Sequence, residues 1–301
     1  MTEQVANRTL ARGASKRTLR EFMTGVAFRT AMQRVSIYLV LGVSAFVVMI
    51  PLVWMISTSL KPSKQVFTWP IQWMPDPVLW RNYPEALSLR PFGLWMRNTL
   101  FVAVMAVVGN CFSSLFVGYA FGRLRWRGRD VFFLILLGTM MLPEQVTMIP
   151  QFIIFSKLKW VNTFLPLWAP TFFGAGFNIF LMRQFMQTLP RGLDDAAKLD
   201  GCGYFGILTR IILPQVMPAV GYVAITTFRA RWNNFLRPLI YLNNPKKFTL
   251  PLGLRSYQNE YSVEWAYLMA ASVVAMLPLV IVFFVGQRYF VQGIVFTGIE
   301  K

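Results

Sequence analysis

The chain has 301 residues, of which 55% are hydrophobic and only 14% charged, with a mean hydropathy of +0.49. Ordinary soluble domains carry about 25% charged residues, so a soluble globule is excluded. Thirty Lys and Arg face 12 Asp and Glu, a formal charge of +18, and in so apolar a chain that excess orients a protein in a bilayer rather than binding nucleic acid.

A helix that crosses the hydrocarbon needs about 20 mostly apolar residues. Before the first such stretch comes a basic arm, residues 1–34, with Arg8, Arg12, Lys16, Arg17, Arg20, Arg29 and Arg34. Within it Leu19, Phe22, Met23 and Val26 recur at i, i+3, i+4 and i+7. The spacing fits a basic amphipathic helix on the inner leaflet, with membrane lipid as its partner, or equally a positive tail that only sets topology. Residues 35–58 form the first span, longer than the roughly 7–15 apolar residues of a signal sequence and expected to be retained. An outer loop rich in Pro and Trp follows over 59–90. Further spans are predicted over 98–122, 131–156 (interrupted only by Glu144), 160–182, 211–228 and 265–287. Six spans put both termini on one side. Arg123, Arg125, Arg127 and Arg129 after the second span, with the basic arm, make that side cytoplasmic. Trp69, Trp73, Trp80, Trp95, Trp160, Trp232 and Trp265 then fall at or beyond the outer interface, where indoles anchor.

The sequence holds no histidine and only two cysteines, Cys111 and Cys202, so no metal site is expected. It carries no Walker A, G-x-S-x-G or H-E-x-x-H string, and no chemistry of its own is expected. Polar groups within spans are costly and tend to face a cavity or partner helices. Asn110 is expected to bond between helices, whereas Glu144, Gln145 and Asn178 are candidates for lining a path.

The inner segment 184–210 is the most informative. Pro190 stops one helix, and Asp194 and Asp195 then fall in the first turn of a short new helix, at its positive dipole end. Ala196 and Ala197 extend it with little bulk, and Gly201 can take the left-handed conformation that ends it. Two readings stand: a helix that docks into a partner's cleft, or a capped surface helix that touches nothing.

Asp195-Ala196-Ala197-x-x-x-Gly201 followed by Ile211-x-Leu213-Pro214 resembles the EAA motif of ABC importer permeases. The surroundings are similar to the maltose and multiple-sugar branch. They are Arg183-Gln184-Phe185 with Leu189-Pro190, Trp232-Asn233-Asn234-Phe235 with Pro238-Leu239, Pro143-Glu144-Gln145-Val146 through Ile149-Pro150, Asn162-Thr163, and Tyr289-Phe290-Val291-Gln292-Gly293. Asp195 departs from the family's usual Glu, and Cys202 from a common Ala.

The resemblance implies an all-α, six-span permease subunit of type I importer fold that moves a sugar or similar small polar solute. Its partners would be a second homologous permease, an ATPase dimer holding ATP and Mg, and an extracytoplasmic solute-binding protein, with no cofactor on this chain. It also implies that Asp194, Asp195, Ala196, Ala197, Asp200 and Gly201 couple to the ATPase, and that a loop with Pro245, Lys246, Lys247 and Gly253 meets the binding protein. The corresponding division is an arm (1–34), a first span with outer loop (35–93), a core (94–290, coupling loop near 189–218) and a cytoplasmic tail (291–301). A glycerol phosphate or polyamine importer of the same class is a close rival. An ion-coupled carrier would leave segment 195–201 without a role, and an intramembrane enzyme would have Glu144 as its sole buried acid.

Overall fold

The computed structural model describes residues 26–258 and 264–295, and everything regular in them is helical. Leu19, Phe22 and Met23 of the arm lie outside the described residues, as does the tail beyond Val295. The chain divides into two compact units, Met1–Ser57 and Thr58–Lys301.

The first unit carries all but the last two residues of α1 (Val26–Ser59), a 34-residue helix with Pro51 inside it. It begins nine residues before the expected 35, because Thr30, Ala31, Met32 and Gln33 continue the helix although they precede the apolar run. At 1.5 Å per residue it is roughly 50 Å long, more than the hydrocarbon requires.

The second unit is built around α3 (Phe92–Gly122), preceded by the short α2 (Asn82–Leu89). Small residues let α3 approach its neighbours closely. A Cβ at Gly118 would come within 2.7 Å of the Met182 Cβ, and one at Gly109 would strike Thr171 and Phe172. Met182 belongs to α6 (Gly176–Thr188), and Thr171 and Phe172 to the turn before it. The fourth span is broken: helical turns Leu165–Trp168 and Ala169–Phe173 lead into α6 through Gly174, at φ +96°. It therefore covers Leu165–Thr188, several residues later than the 160–182 expected from charge-free length. The third span is also broken. Helices α4 (Arg129–Met140) and α5 (Glu144–Lys157) meet at 100°, because Pro143 cannot continue α4. Among the described residues, five helical stretches are long and apolar enough to cross a membrane, and the bent pair makes six when taken as one span.

Between α6 and the fifth span lies α7 (Gly192–Leu199). The fifth span runs through a π-helical segment, Ile207–Ile212, into α8 (Leu213–Trp232). Two short helices, α9 (Leu236–Tyr241) and α10 (Leu250–Leu254), precede α11 (Trp265–Val295).

Two of the buried clusters in this unit lie at opposite ends of α3. One joins Trp95, Ala103, Phe228, Trp232, Leu250, Tyr257 and Ala271 from α3, α8, α10 with the turn after it, and α11. The other, at the opposite end of α3, joins Tyr119, Met186, Ala197, Ile207, Ile212 and Val216. Trp95 and Trp232 are each 2% exposed, so they are core residues and not the interfacial anchors expected from their positions. Their indole N–H groups donate to Pro245 O at 2.9 Å and Ala275 O at 3.0 Å, which makes such burial tolerable. Trp69, Trp73 and Trp80 do remain exposed. Asn110 bonds across helices as expected, its Nδ2 donating to Thr227 Oγ1 at 3.1 Å.

Candidate coupling site and outer loop

Helix α7 is short, so its ends matter more than its length. Gly201 has φ +79°, a conformation that costs any other L-residue. Cys202 N–H then reaches back to Ala197 O at 2.9 Å, and Gly201 N–H to Lys198 O at 3.0 Å. This pair of bonds is a Schellman closure, which satisfies the last carbonyls of the helix. At the other end, Pro190 and Arg191 turn the chain out of α6.

The six residues assigned to coupling divide between two faces. Asp195, Ala196, Asp200 and Gly201 are exposed. Ala197 is 4% exposed and belongs to the inner cluster with Tyr119, Met186 and Ile207. Asp194 is also turned inward: its Oδ2 accepts from Arg123 Nε and its Oδ1 from Arg123 Nη2, both at 2.9 Å. Those two residues hold α7 to the membrane helices, and a partner could reach only the other four. Asp195 stands 3.6 Å from Lys198, a surface pair of little energetic weight.

Three further exposed groups share this end of the molecule. Leu199 is 90% exposed, Tyr204 62% and Phe205 67%. An exposed apolar group of this kind beside acids is unusual on a surface that faces only water. Sequence reasoning passed over Leu199, although the helical period could have found it. Leu193 and Ala197, four apart, share the inward face, which leaves Leu199 on the other. Arg123 was read only as part of a topogenic cluster, yet its side chain is 2% exposed. Beside α7 lies an open cleft of about 560 Å³, lined by Tyr119, Arg125, Trp126, Arg191, Asp195 and Tyr204 among others.

The residues expected to meet the binding protein divide in the same way. Pro245 and Lys246 are exposed on a turn capped by Asn244, whose side chain accepts from Lys246 N. This turn is fastened to the start of α3: Asn98 Nδ2 donates to Lys246 O and Phe248 O, both at 3.0 Å. Lys247 Nζ donates to Asn162 O at 2.7 Å. Gly253 is not on an exposed loop as expected. It lies in α10 beneath the Trp95 ring, where a Cβ would overlap the indole, so its role is close packing.

Glu144 opens α5 at the bend of the third span, and its Oε1 accepts from Arg237 Nε at 2.5 Å. The side chain remains 61% exposed. Gln145 beside it is exposed, and Asn178 is half-buried in the first turn of α6. That turn abuts the end of α4, since a Cβ at Gly176 would lie 2.7 Å from Met140.

Broken apolar spans packed on one continuous helix, with a short capped helix between two of them, define a multi-pass membrane protein. Residues 114–296 match the family model for the binding-protein-dependent transport system inner membrane component. The chain belongs to that family and is a permease subunit of an ABC importer; such subunits are not catalytic, and the ATPase is a separate chain. It is 35% identical over 266 residues to the arabinooligosaccharides transport system permease protein AraQ of Halalkalibacterium halodurans, covering 85% of this chain and 92% of that one. It is 31% identical over 268 residues to the sn-glycerol-3-phosphate transport system permease protein UgpE of Yersinia pestis, covering 86% and 94%. A crystal structure of a bacterial ABC transporter involved in the import of the acidic polysaccharide alginate superposes with a TM-score of 0.76 at 25% identity, covering 88% of this chain and 98% of that one.

Proposed function

We propose that this permease admits a sugar-like solute, released by an extracytoplasmic binding protein, through a path it shares with a second, homologous permease. The exposed face of α7, formed by Asp195, Ala196, Leu199, Asp200 and Gly201 with Tyr204 and Phe205 adjoining, seats in a groove of the partner ATPase. That surface is the observation on which the reading rests: a doubly tethered helix that offers carboxylates and exposed apolar side chains together. ATP and Mg belong to the ATPase. The arm (1–34), the segment 123–129 and both termini lie in the cytoplasm, and the turn at Pro245, Lys246 and Lys247 faces the binding protein. The four arginines that follow α3, which stand at the same end of it as α7, favour this orientation. Oligosaccharide-type relatives support the sugar reading, and a phosphorylated polyol is the second reading, favoured by the likeness to UgpE.

Energetically, moving a two-state transporter from 1:99 to 99:1 takes about 5.5 kcal/mol of differential binding. A stiff α7 can pass such a bias from the ATPase to the membrane helices. Glu144, Gln145 and Asn178 border the path, with the Glu144–Arg237 pair joining the bent third span to α9.

The deciding experiment is Leu199→Asp in the assembled importer. Leu199 packs against nothing internal, so the permease should insert normally while the ATPase is retained at least tenfold less and uptake is lost. Normal retention and uptake would remove α7 as the docking element.

A further inference from the structure

A handle eight residues long works only if it cannot swivel. Helix α7 leaves α6 through Pro190 and Arg191 and ends at Gly201 and Gly203, so both connections can turn. Its inward packing rests on the small Ala197 and the half-buried Leu193. Along its flank the cleft separates it from Leu124, Arg125 and Trp126. Apolar packing alone therefore gives a push on α7 little to act against.

We infer that Arg123 is the positioning residue that makes α7 move as one body with the central helix α3. This rests on the docking reading above and assigns the link that reading needs. The backbone of Arg123 caps α3, its N–H donating to Tyr119 O at 2.9 Å. Its guanidinium reaches two other elements. Nη1 donates to Leu189 O at 2.7 Å and to Met186 O at 3.2 Å, and Nη2 to Pro190 O at 2.9 Å, so the end of α6 is tied. Nε and the remaining Nη2 donor grip both oxygens of Asp194 in the first turn of α7. All five N–H donors of the group are used, in a planar fork that fixes direction as well as distance. A buried bidentate pair of this kind resists rotation in a way a point charge does not. A lysine offers three donors and no fork, so it would keep the charge and lose the alignment. Displacement of α7 thus passes through Asp194 and Arg123 into α3, which packs on α6 and α8.

The test uses the complete importer in proteoliposomes, with Arg123→Lys and, separately, Asp194→Asn. Two measurements are made: ATP hydrolysed per solute imported, and the distance between spin labels at Gly192→Cys on α7 and Gly93→Cys at the outer start of α3. Both glycines have open space where a side chain would go, and the native Cys111 and Cys202 are first replaced. With Arg123 intact, the label distance should be narrow and the same with and without ATP. In either variant it should broaden or become nucleotide-dependent, while ATP spent per solute rises at least tenfold in complexes that still assemble. An unchanged ratio and distance in both variants overturns the proposal, as does loss of assembly in both, which would make the pair a folding contact only. A failed Leu199→Asp test strikes the docking reading first, whereas success there with unchanged Arg123→Lys coupling strikes this proposal alone.

Discussion

Tyr257 shows how a single polar group can anchor an apolar core. Its hydroxyl donates to Ala86 O at 2.6 Å with the side chain fully buried, and burial pushes the phenol from 10.0 up to about 12. The folded value lies above the unfolded one, so the stabilisation is complete below about pH 10 and is lost as pH rises through about 12. Tyr257→Phe should cost about 1 kcal/mol at neutral pH and flatten the alkaline limb of stability. Thermal unfolding in detergent between pH 8 and 12 measures both. Lys61 is a companion case in the segment after α1. It is fully buried with its Nζ donating to Gln72 O, and burial draws its ammonium below the ordinary lysine range. No feature of the sequence marks Lys61 as different from the exposed Lys64 three residues on, because burial is conferred by the fold of residues far away.

At the scale of elements, close helix approach and helix breakage decide the architecture. Gly118 lets α3 lie against Met182 of α6. Gly118→Leu overpacks that contact and should cost roughly 1–3 kcal/mol, seen as a lower midpoint of thermal unfolding, whereas the same change at Gly42, with open space around it, should be silent. The bend between α4 and α5 is held at its corner by Glu144 and Arg237. Glu144→Gln removes the charge but not the shape. It should leave the complex assembled and alter uptake kinetics by several-fold, read from initial rates at varied solute concentration. Wild-type kinetics would strip the pair of any part in transport. The interruption of the third span was legible in the sequence as Glu144 and Pro143, but its 100° angle was not. The break at Gly174 carries no charge to reveal it, so charge-free length puts the fourth span too early.

For the whole molecule, the testable quantity is sidedness. Lys246→Cys, on the exposed turn before α10, should react with an impermeant maleimide added outside intact cells. Arg127→Cys, exposed after α3, should react only after the membrane is opened. Reversed labelling would invert the proposed orientation and take the docking role of α7 with it. The family match and the relatives extend over most of the chain, so the permease class belongs to the chain as a whole.

The sequence by itself determined that this is a helical membrane protein with six apolar stretches, and that a capped, acid-led helix lies between two of them. It could do so because hydrocarbon length, charge exclusion and helix termination are local properties, written in consecutive residues. It also carried the family's motif in order, from Pro143 to Gly293. Which side of each residue faces inward was left to the tertiary structure. Asp194 and Asp195 are neighbours of identical chemistry, yet one is clasped by Arg123 and the other is exposed. Gly253 and Trp95 read as loop and anchor but pack on each other. Those assignments depend on segments 71 to 158 residues apart meeting, and no local pattern encodes a meeting of that kind.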